Sequence, residues 1–321
     1  MARSTYLVTG GAGFIGSHLC EALVGDGHAV RVLDDLSTGV RANLPASVEL
    51  IEGDIADQAA MEAAVAGVDG CFHLAAIASV ARGVEDWLGT HRANLTGTIT
   101  LFDAVRRQPT PVPVVYASSA AVYGDGARLP ITEDATKRPL SAYGADKYAC
   151  ELHAVVASHV HAVPTVGLRF FNVYGPRQDP RSPYSGVISI FCERLRRGKP
   201  VEIFGDGGQT RDFIAVADVV AALRAAMARR PSGAPPEARA FPEAHVFNVC
   251  TGIGTSVTEL AHTIATLAGV PADIRHAASR PGEIRHSVGS PDLARQALGL
   301  APPAALADGL RLVLDWLGPP G

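Results

Sequence analysis

Short runs rich in β-branched and apolar residues alternate along the chain with longer stretches in which apolar residues return every three or four positions. The runs at 6–9, 30–33, 48–51, 70–74, 112–117 and 165–170, rich in β-branched and other apolar residues, read as strands. Between them, 16–23 and 142–157 read as helices, and Leu101, Ala104 and Val105 share one helical face. Strand and helix in turn predict a doubly wound parallel α/β sheet. From about residue 172 the texture changes. Glycine, proline and arginine become frequent and the elements shorten, which predicts a smaller C-terminal α/β lobe. The run 246–249 is again strand-like, so the sheet is expected to be completed late, and 231–242 reads as a surface loop.

The first strand runs into Thr9-Gly10-Gly11-Ala12-Gly13-Phe14-Ile15-Gly16, a glycine turn that opens a helix. Glycines there admit positive φ and let backbone approach a pyrophosphate, which the helix N-terminus attracts. The spacing is GxxGxxG, where the standard dinucleotide fingerprint is GxGxxG. The second strand ends in Asp34-Asp35, where a carboxylate accepts hydrogen bonds from an adenosine ribose and repels a 2′-phosphate. Asp54 and Ile55, after the third strand, either meet the adenine edge or close a turn. Together these positions predict a Rossmann-like site for NAD. Residues 1–171 are expected to form this lobe, completed by about 212–252. Residues 172–321 are expected to form the substrate lobe, with the ligand between the two.

Tyr143 and Lys147 stand four residues apart in the helix predicted over 142–157, so they share a face. An ammonium beside a phenol favours the phenolate and makes a base usable near neutral pH. The pattern is common on helix surfaces, and its neighbours give it weight. Strand five ends in the hydroxyl-rich Ser118-Ser119, at the sheet edge where ligands bind, and Ser119 is placed to share a proton with Tyr143. Strand four ends in Leu74, Ala75 and Ala76, which let backbone approach the cofactor. His73 before them reads as a structural histidine.

Composition narrows the partners. A net charge of −4 gives no broad basic surface, so neither nucleic acid nor an anionic membrane is expected. No run of about 18 apolar residues or leader-like segment is found, and no metal cluster is expected. Cys20, Cys71, Cys150, Cys192 and Cys250 are odd in number, scattered and without a CxxC pair. They read as free thiols of a cytoplasmic protein.

The segments TGGAGFIG, LDDLSTG, GDI, HLAA, YASSAAVYG, YGADK, RFFNVYGPRQDP, GDGGQTRDF and RPGEIRHS follow one another from residue 9 to about 290. In this order they resemble the extended short-chain dehydrogenase/reductase family, and within it the UDP-glucose/UDP-N-acetylglucosamine 4-epimerase group. The resemblance implies that Tyr143 is the base, Lys147 its activator and cofactor ligand, and Ser119 the proton-sharing hydroxyl. It implies that Asn94 supports the cofactor, and that Ser79, Asn172, Phe204, Arg211, Arg280 and Glu283 contact a UDP-sugar. It also implies a homodimer through helices near 92–107 and 142–160. Ala120 and Ala121 stand where sibling 4,6-dehydratases carry an Asp-Glu pair, which argues against elimination. Asp179 stands where uronic-acid epimerases tend to carry arginine. Ser287 falls at a gate beside the sugar C2 substituent, where serine leaves room for an N-acetyl group; it also reads as an ordinary loop serine. The expected activity is NAD-dependent 4-epimerisation of UDP-N-acetylglucosamine and UDP-N-acetylgalactosamine, with activity on UDP-glucose and UDP-galactose. A strict UDP-glucose 4-epimerase is the nearest rival, ahead of a UDP-glucuronate epimerase, another sugar-nucleotide oxidoreductase or a non-catalytic NAD sensor.

Overall fold

The structure, a computed structural model, describes residues 3–180, 186–229, 246–279 and 284–319. The predicted loop at 231–242 lies outside them. The first half alternates β1 (Thr5–Thr9), α1 (Phe14–Gly25), β2 (Ala29–Asp34), β3 (Glu49–Glu52), α2 (Gln58–Val65) and β4 (Gly70–His73). Two short helices, α3 (Val80–Glu85) and α4 (Trp87–His91), lead through a wide i→i+5 turn at Arg92–Thr96 into α5 (Gly97–Arg106). Then come β5 (Val114–Ser119), the long α6 (Ala142–His161) and β6 (Thr165–Phe170). The remainder comprises β7 (Asn172–Tyr174), α7 (Val187–Arg196), β8 (Val201–Phe204), β9 (Thr210–Ala215), α8 (Val216–Ala228) and β10 (Val246–Val249). After these follow β11 (Gly254–Ser256), α9 (Val257–Ala268), β12 (Ile274–Ala277), β13 (His286–Ser287), α10 (Asp292–Leu298) and α11 (Leu306–Leu317).

Seven strands form one parallel sheet in the order β10-β6-β5-β4-β1-β2-β3. Neighbouring residues divide between its two faces. Val8, Val32, Phe72 and Val115 pack with α1 and α8 through Leu19, Leu23, Val219 and Leu223. Leu7, Leu33, Cys71 and Val114 pack on the other face with Met61, Leu101, Val105 and Ala154. Both faces are therefore covered, and this explains why apolar residues dominate the central strands without strict alternation.

Strand β5 differs from expectation at both ends: the sequence predicts 112–117, and the strand spans Val114–Ser119. Pro113 has no N–H to give a ladder and offers only its carbonyl, which accepts from Cys71. At the far end, Ser118 pairs with Arg169 and Ser119 with Phe170, so the hydroxyls belong to the strand.

The C-terminal elements make a third core from α7, α9 and α11, with Phe191, Leu260, Ile264 and Leu310 at its centre. Small sheets border it: β9 pairs with β11, β13 and β7, and β8 pairs with β12.

Candidate active site

The turn between β1 and α1 is built for close approach. Gly10 has φ +68°, and a Cβ on it would lie 2.6 Å from the Ala75 nitrogen. On Gly16 a Cβ would lie 2.2 Å from the Gly10 oxygen, so strand, turn and helix meet there without room for a side chain. Gly13 occupies the N-cap, and no side chain caps α1, whose first-turn residues are Phe14, Ile15 and Gly16. Asp34 is buried at the end of β2. Its Oδ2 accepts from Ala12 N–H at 2.9 Å and its Oδ1 from Leu36 N–H at 2.9 Å. Burial pushes its carboxyl above the usual carboxylate range against the pull of those two N–H groups. Asp54 is half-buried. It accepts from Ala56 N–H at 2.8 Å and pairs with Arg92, and these donors outweigh burial and hold its carboxyl low. Ile55 beside it is buried against the Cα of Gly97.

The end of β4 is held by a buried polar chain. Thr98 Oγ1 donates to the Asn94 carbonyl at 2.6 Å, so His73 Nε2–H must donate to Thr98 Oγ1, at 2.9 Å. Nδ1 then accepts from Thr9 Oγ1–H at 2.7 Å, and Thr9 Oγ1 accepts from Ala75 N–H at 3.3 Å. Burial first, and the Lys147 charge second, push the His73 pKa down to about 3, which keeps the ring neutral. Asn94, in the wide turn, accepts from Ile77 N–H at 2.8 Å and donates to Ile77 O at 3.2 Å. It thereby fixes the segment that follows Leu74, Ala75 and Ala76. Ser79, at the end of that segment, caps α3 by accepting from Arg82 N–H at 3.0 Å.

Tyr143, Lys147 and Ser119 are brought to the carboxyl edge of the sheet by α6 and β5. Ser141 caps α6 by accepting from Gly144 N–H at 3.1 Å, which sets the register of the helix. Lys147 is buried, donates to the Ala117 carbonyl at 2.9 Å, and has its Nζ 5.9 Å from the centre of the Tyr143 ring. Ser119 accepts from Ala121 N–H at 3.2 Å, at the start of a short 3-10 turn. A Cβ on Gly144 would lie 2.7 Å from the Ala121 oxygen, so a glycine between Tyr143 and Lys147 lets the helix rest on the Ser119 turn. The motif YGADK carries that signal in its glycine, beside the tyrosine and the lysine that carry the chemistry.

Three of the expected substrate residues gather around β9. Arg211 lies on it, Ser287 pairs with Arg211 in register, and Asn172 pairs with Phe213. Phe204 sits apart at the end of β8, paired with Ala277. Arg280 and Glu283 lie outside the described residues. Asp212, not singled out from the sequence, is fully buried. It accepts from Thr251 N–H and Oγ1–H, both at 2.7 Å, and from Gly252 N–H at 2.9 Å, which ties β9 to the following loops.

A family model described as "NAD dependent epimerase/dehydratase family" matches residues 6–250. The chain belongs to that family. It is 38% identical over 317 residues, 97% of each chain, to a UDP-glucose 4-epimerase of Mycolicibacterium smegmatis. Among solved structures it resembles a UDP-N-acetylglucosamine 4-epimerase of Methanobrevibacter ruminantium in complex with UDP-N-acetylmuramic acid. The TM-score is 0.90 at 33% identity, covering 99% of each chain. It also resembles a Thermus thermophilus UDP-glucose 4-epimerase complexed with NAD, with a TM-score of 0.87 and 36% identity, over 98% of this chain and 99% of that one.

As an NAD-dependent epimerase/dehydratase, the chain takes NAD as its cofactor, and its own residues fit the group. The uncapped start of α1 leaves backbone N–H donors for a pyrophosphate. The Asp34 carboxylate has accepted only one N–H on each oxygen, which leaves lone pairs for a ribose hydroxyl. A Cβ on Gly39 would lie 2.8 Å from Asp34 Oδ1, so glycine keeps the approach to that carboxylate open. Among the described residues no group of three or more His, Cys, Asp or Glu side chains is arranged to hold a metal ion. None of the described helices is long and apolar enough to cross a membrane.

Proposed function

We propose that this NAD-dependent UDP-sugar 4-epimerase interconverts UDP-N-acetylglucosamine and UDP-N-acetylgalactosamine, with UDP-glucose and UDP-galactose as further substrates. The observation that carries the substrate choice is the pairing of Ser287 with Arg211. It sets a small side chain beside the arginine expected at the diphosphate, where a tyrosine would crowd an acetamido group on C2. The likeness to the UDP-N-acetylglucosamine 4-epimerase supports the same choice. Ser287→Tyr is expected to lower kcat/KM for the acetylated sugar by roughly 10–200-fold while leaving UDP-glucose nearly unaffected. An equal loss on both sugars would remove Ser287 as the gate.

Bound NAD would supply the hydride acceptor, and then the hydride donor, for C4 of the sugar. Tyr143 removes the proton of the 4-hydroxyl, Ser119 hydrogen-bonds the same oxygen and shares that proton, and the Lys147 ammonium favours the phenolate. The 4-keto sugar turns about its diphosphate link, and Tyr143 returns the proton with the opposite face presented. Arg211, Asn172, Phe204 and Ser79, with Arg280 and Glu283, hold the UDP so that the turning sugar stays in place. Ala120 and Ala121 offer no acid or base for elimination across C5 and C6. Asp179 is an exposed acid that disfavours a uronate.

On the cofactor side, Gly10, Gly13, Phe14, Ile15 and Gly16 serve the pyrophosphate, and Asp34 the ribose. Asp54 and Ile55 serve the adenine edge, and Leu74, Ala75, Ala76 and Asn94 the part of the cofactor nearest the sugar. Residues 1–171 with a return over about 212–252 form the NAD lobe, and the rest of 172–321 the UDP-sugar lobe. The protein works as a homodimer through α5 and α6, where Ile99, Leu152, Val155, Val156 and Val160 are exposed. Five buried free cysteines suit a cytoplasmic setting.

A further inference from the structure

A buried ion pair lies one helical turn beyond Lys147. Glu151 on α6 and Arg169 on β6 are 4% and 3% exposed. Arg169 binds the carboxylate with both arms of its fork, Nε to Oε1 and Nη2 to Oε2, each at 2.8 Å. Glu151 Oε1 also accepts the Ser118 hydroxyl at 2.5 Å. Taking two charges out of water is costly, and an apolar pair of similar volume commonly serves stability as well. What an apolar pair cannot supply is direction.

The direction runs across the site. At one end, Ser118 adjoins Ser119, and Glu151 shares a helical face with Tyr143 and Lys147. Arg169 Nη1 donates to the Tyr123 hydroxyl at 2.7 Å and to the Glu133 carbonyl at 2.9 Å. Tyr123 donates onward to Asn248 Oδ1 at 2.6 Å. Asn248, on β10, donates through Nδ2 to the Ile131 carbonyl at 2.9 Å and through its N–H to Glu133 Oε1 at 2.8 Å. Ile131 exchanges bonds with the segment after Ser287: its N–H donates to Val288 O, and its carbonyl accepts from Ser290 N–H, both at 2.8 Å. The chain of bonds thus begins at the wall that carries Ser119, Tyr143 and Lys147 and ends one residue beyond Ser287.

We propose that the Glu151–Arg169 pair, continued by Tyr123 and Asn248, is a positioning device that fixes the width of the sugar pocket between these two walls. The proposal rests on the epimerase reading given above. None of the four side chains needs to touch substrate. They act through Ser118, α6 and the 131–133 segment. A pocket held too loosely misplaces O4 from its base, and such misplacement by about 1 Å costs up to roughly a hundredfold in rate.

Two variants test it, each measured for kcat and KM on UDP-N-acetylglucosamine and UDP-glucose, for thermal midpoint, and for UDP dissociation. The double variant Glu151→Leu/Arg169→Met removes both charges together and is expected to keep its thermal midpoint within a few degrees. Its kcat should fall at least about tenfold, with UDP dissociation unchanged. Tyr123→Phe keeps the ring and cuts only the middle link. It is expected to lower kcat and to alter the ratio of rates on the two sugars, and it decides the matter if the double variant does not fold. Wild-type kcat and an unchanged sugar ratio in Tyr123→Phe, or wild-type kcat in a folded double variant, overturns the proposal. Wild-type protein inactive on both sugars overturns the reaction and this positioning role together, whereas active wild type with equally active variants overturns the positioning alone.

Discussion

Tyr143 is asked to move one proton off O4 and back, and everything near it serves that step. Tyr143→Phe is expected to cut kcat by roughly 10²–10⁴-fold while UDP-sugar binding stays largely intact. Equal turnover in that variant would mean that another group is the base. His73 makes a different kind of contribution. Its folded pKa is pushed down to about 3, by burial first, from an unfolded value of 6.5. The unfolded chain therefore takes up a proton below about pH 6.5, and the folded protein does not until near pH 3. Stability falls as pH falls through that window, by about 1.4 kcal/mol per pH unit, or about 2 kcal/mol between pH 6.5 and 5. In denaturant titrations at pH 7 and pH 5, His73→Gln should lose about that much less than wild type, although it starts from a lower stability. An identical loss in both proteins would show that His73 takes up its proton as readily in the fold as in the unfolded chain.

Helix α6 shows why an element can be read in part. Cys150, Ala154 and Ala157 face the core, Tyr143 and Lys147 face the site, Glu151 is buried against Arg169, and Leu152, Val155, Val156 and Val160 are left exposed at helical spacing. Val156→Asp places a charge in the proposed dimer contact and is expected to give monomers in sedimentation equilibrium at micromolar protein. An unchanged mass would move the interface elsewhere. The strands β1, β2, β4 and β6 were legible because burial on both faces leaves short runs rich in apolar and β-branched residues, even where Arg31 or Arg169 interrupts them. The same rule could not find β7, β11 or β13, which have three, three and two residues, too few for any period to show. Those short strands exist because β9 offers them a ladder, and the pairing of Ser287 with Arg211 joins segments far apart in sequence. The chemistry-bearing residues at local spacing, the glycine turn with Asp34 and Tyr143 with Lys147, were legible as a group. Residues whose meaning lies in a distant partner were not. Asp212, Arg169 and Glu151 look like ordinary charged residues until the fold buries them.

At the scale of the molecule, a parallel sheet places the glycine turn, the hydroxyl-rich end of β5 and the first turns of α6 along one edge. The β9 sheet brings Arg211, Asn172 and Ser287 together in the C-terminal part of the chain. This is the arrangement expected of an enzyme that grips a nucleotide firmly and lets its sugar turn. The most direct test is to incubate purified protein with UDP-N-acetylglucosamine and, separately, with UDP-glucose, and to resolve the products by NMR or anion exchange. We expect both sugars to be converted to their 4-epimers, the acetylated one faster. Conversion of UDP-glucose alone would keep the chemistry and overturn the substrate assignment, and conversion of neither would contradict the epimerase reading itself.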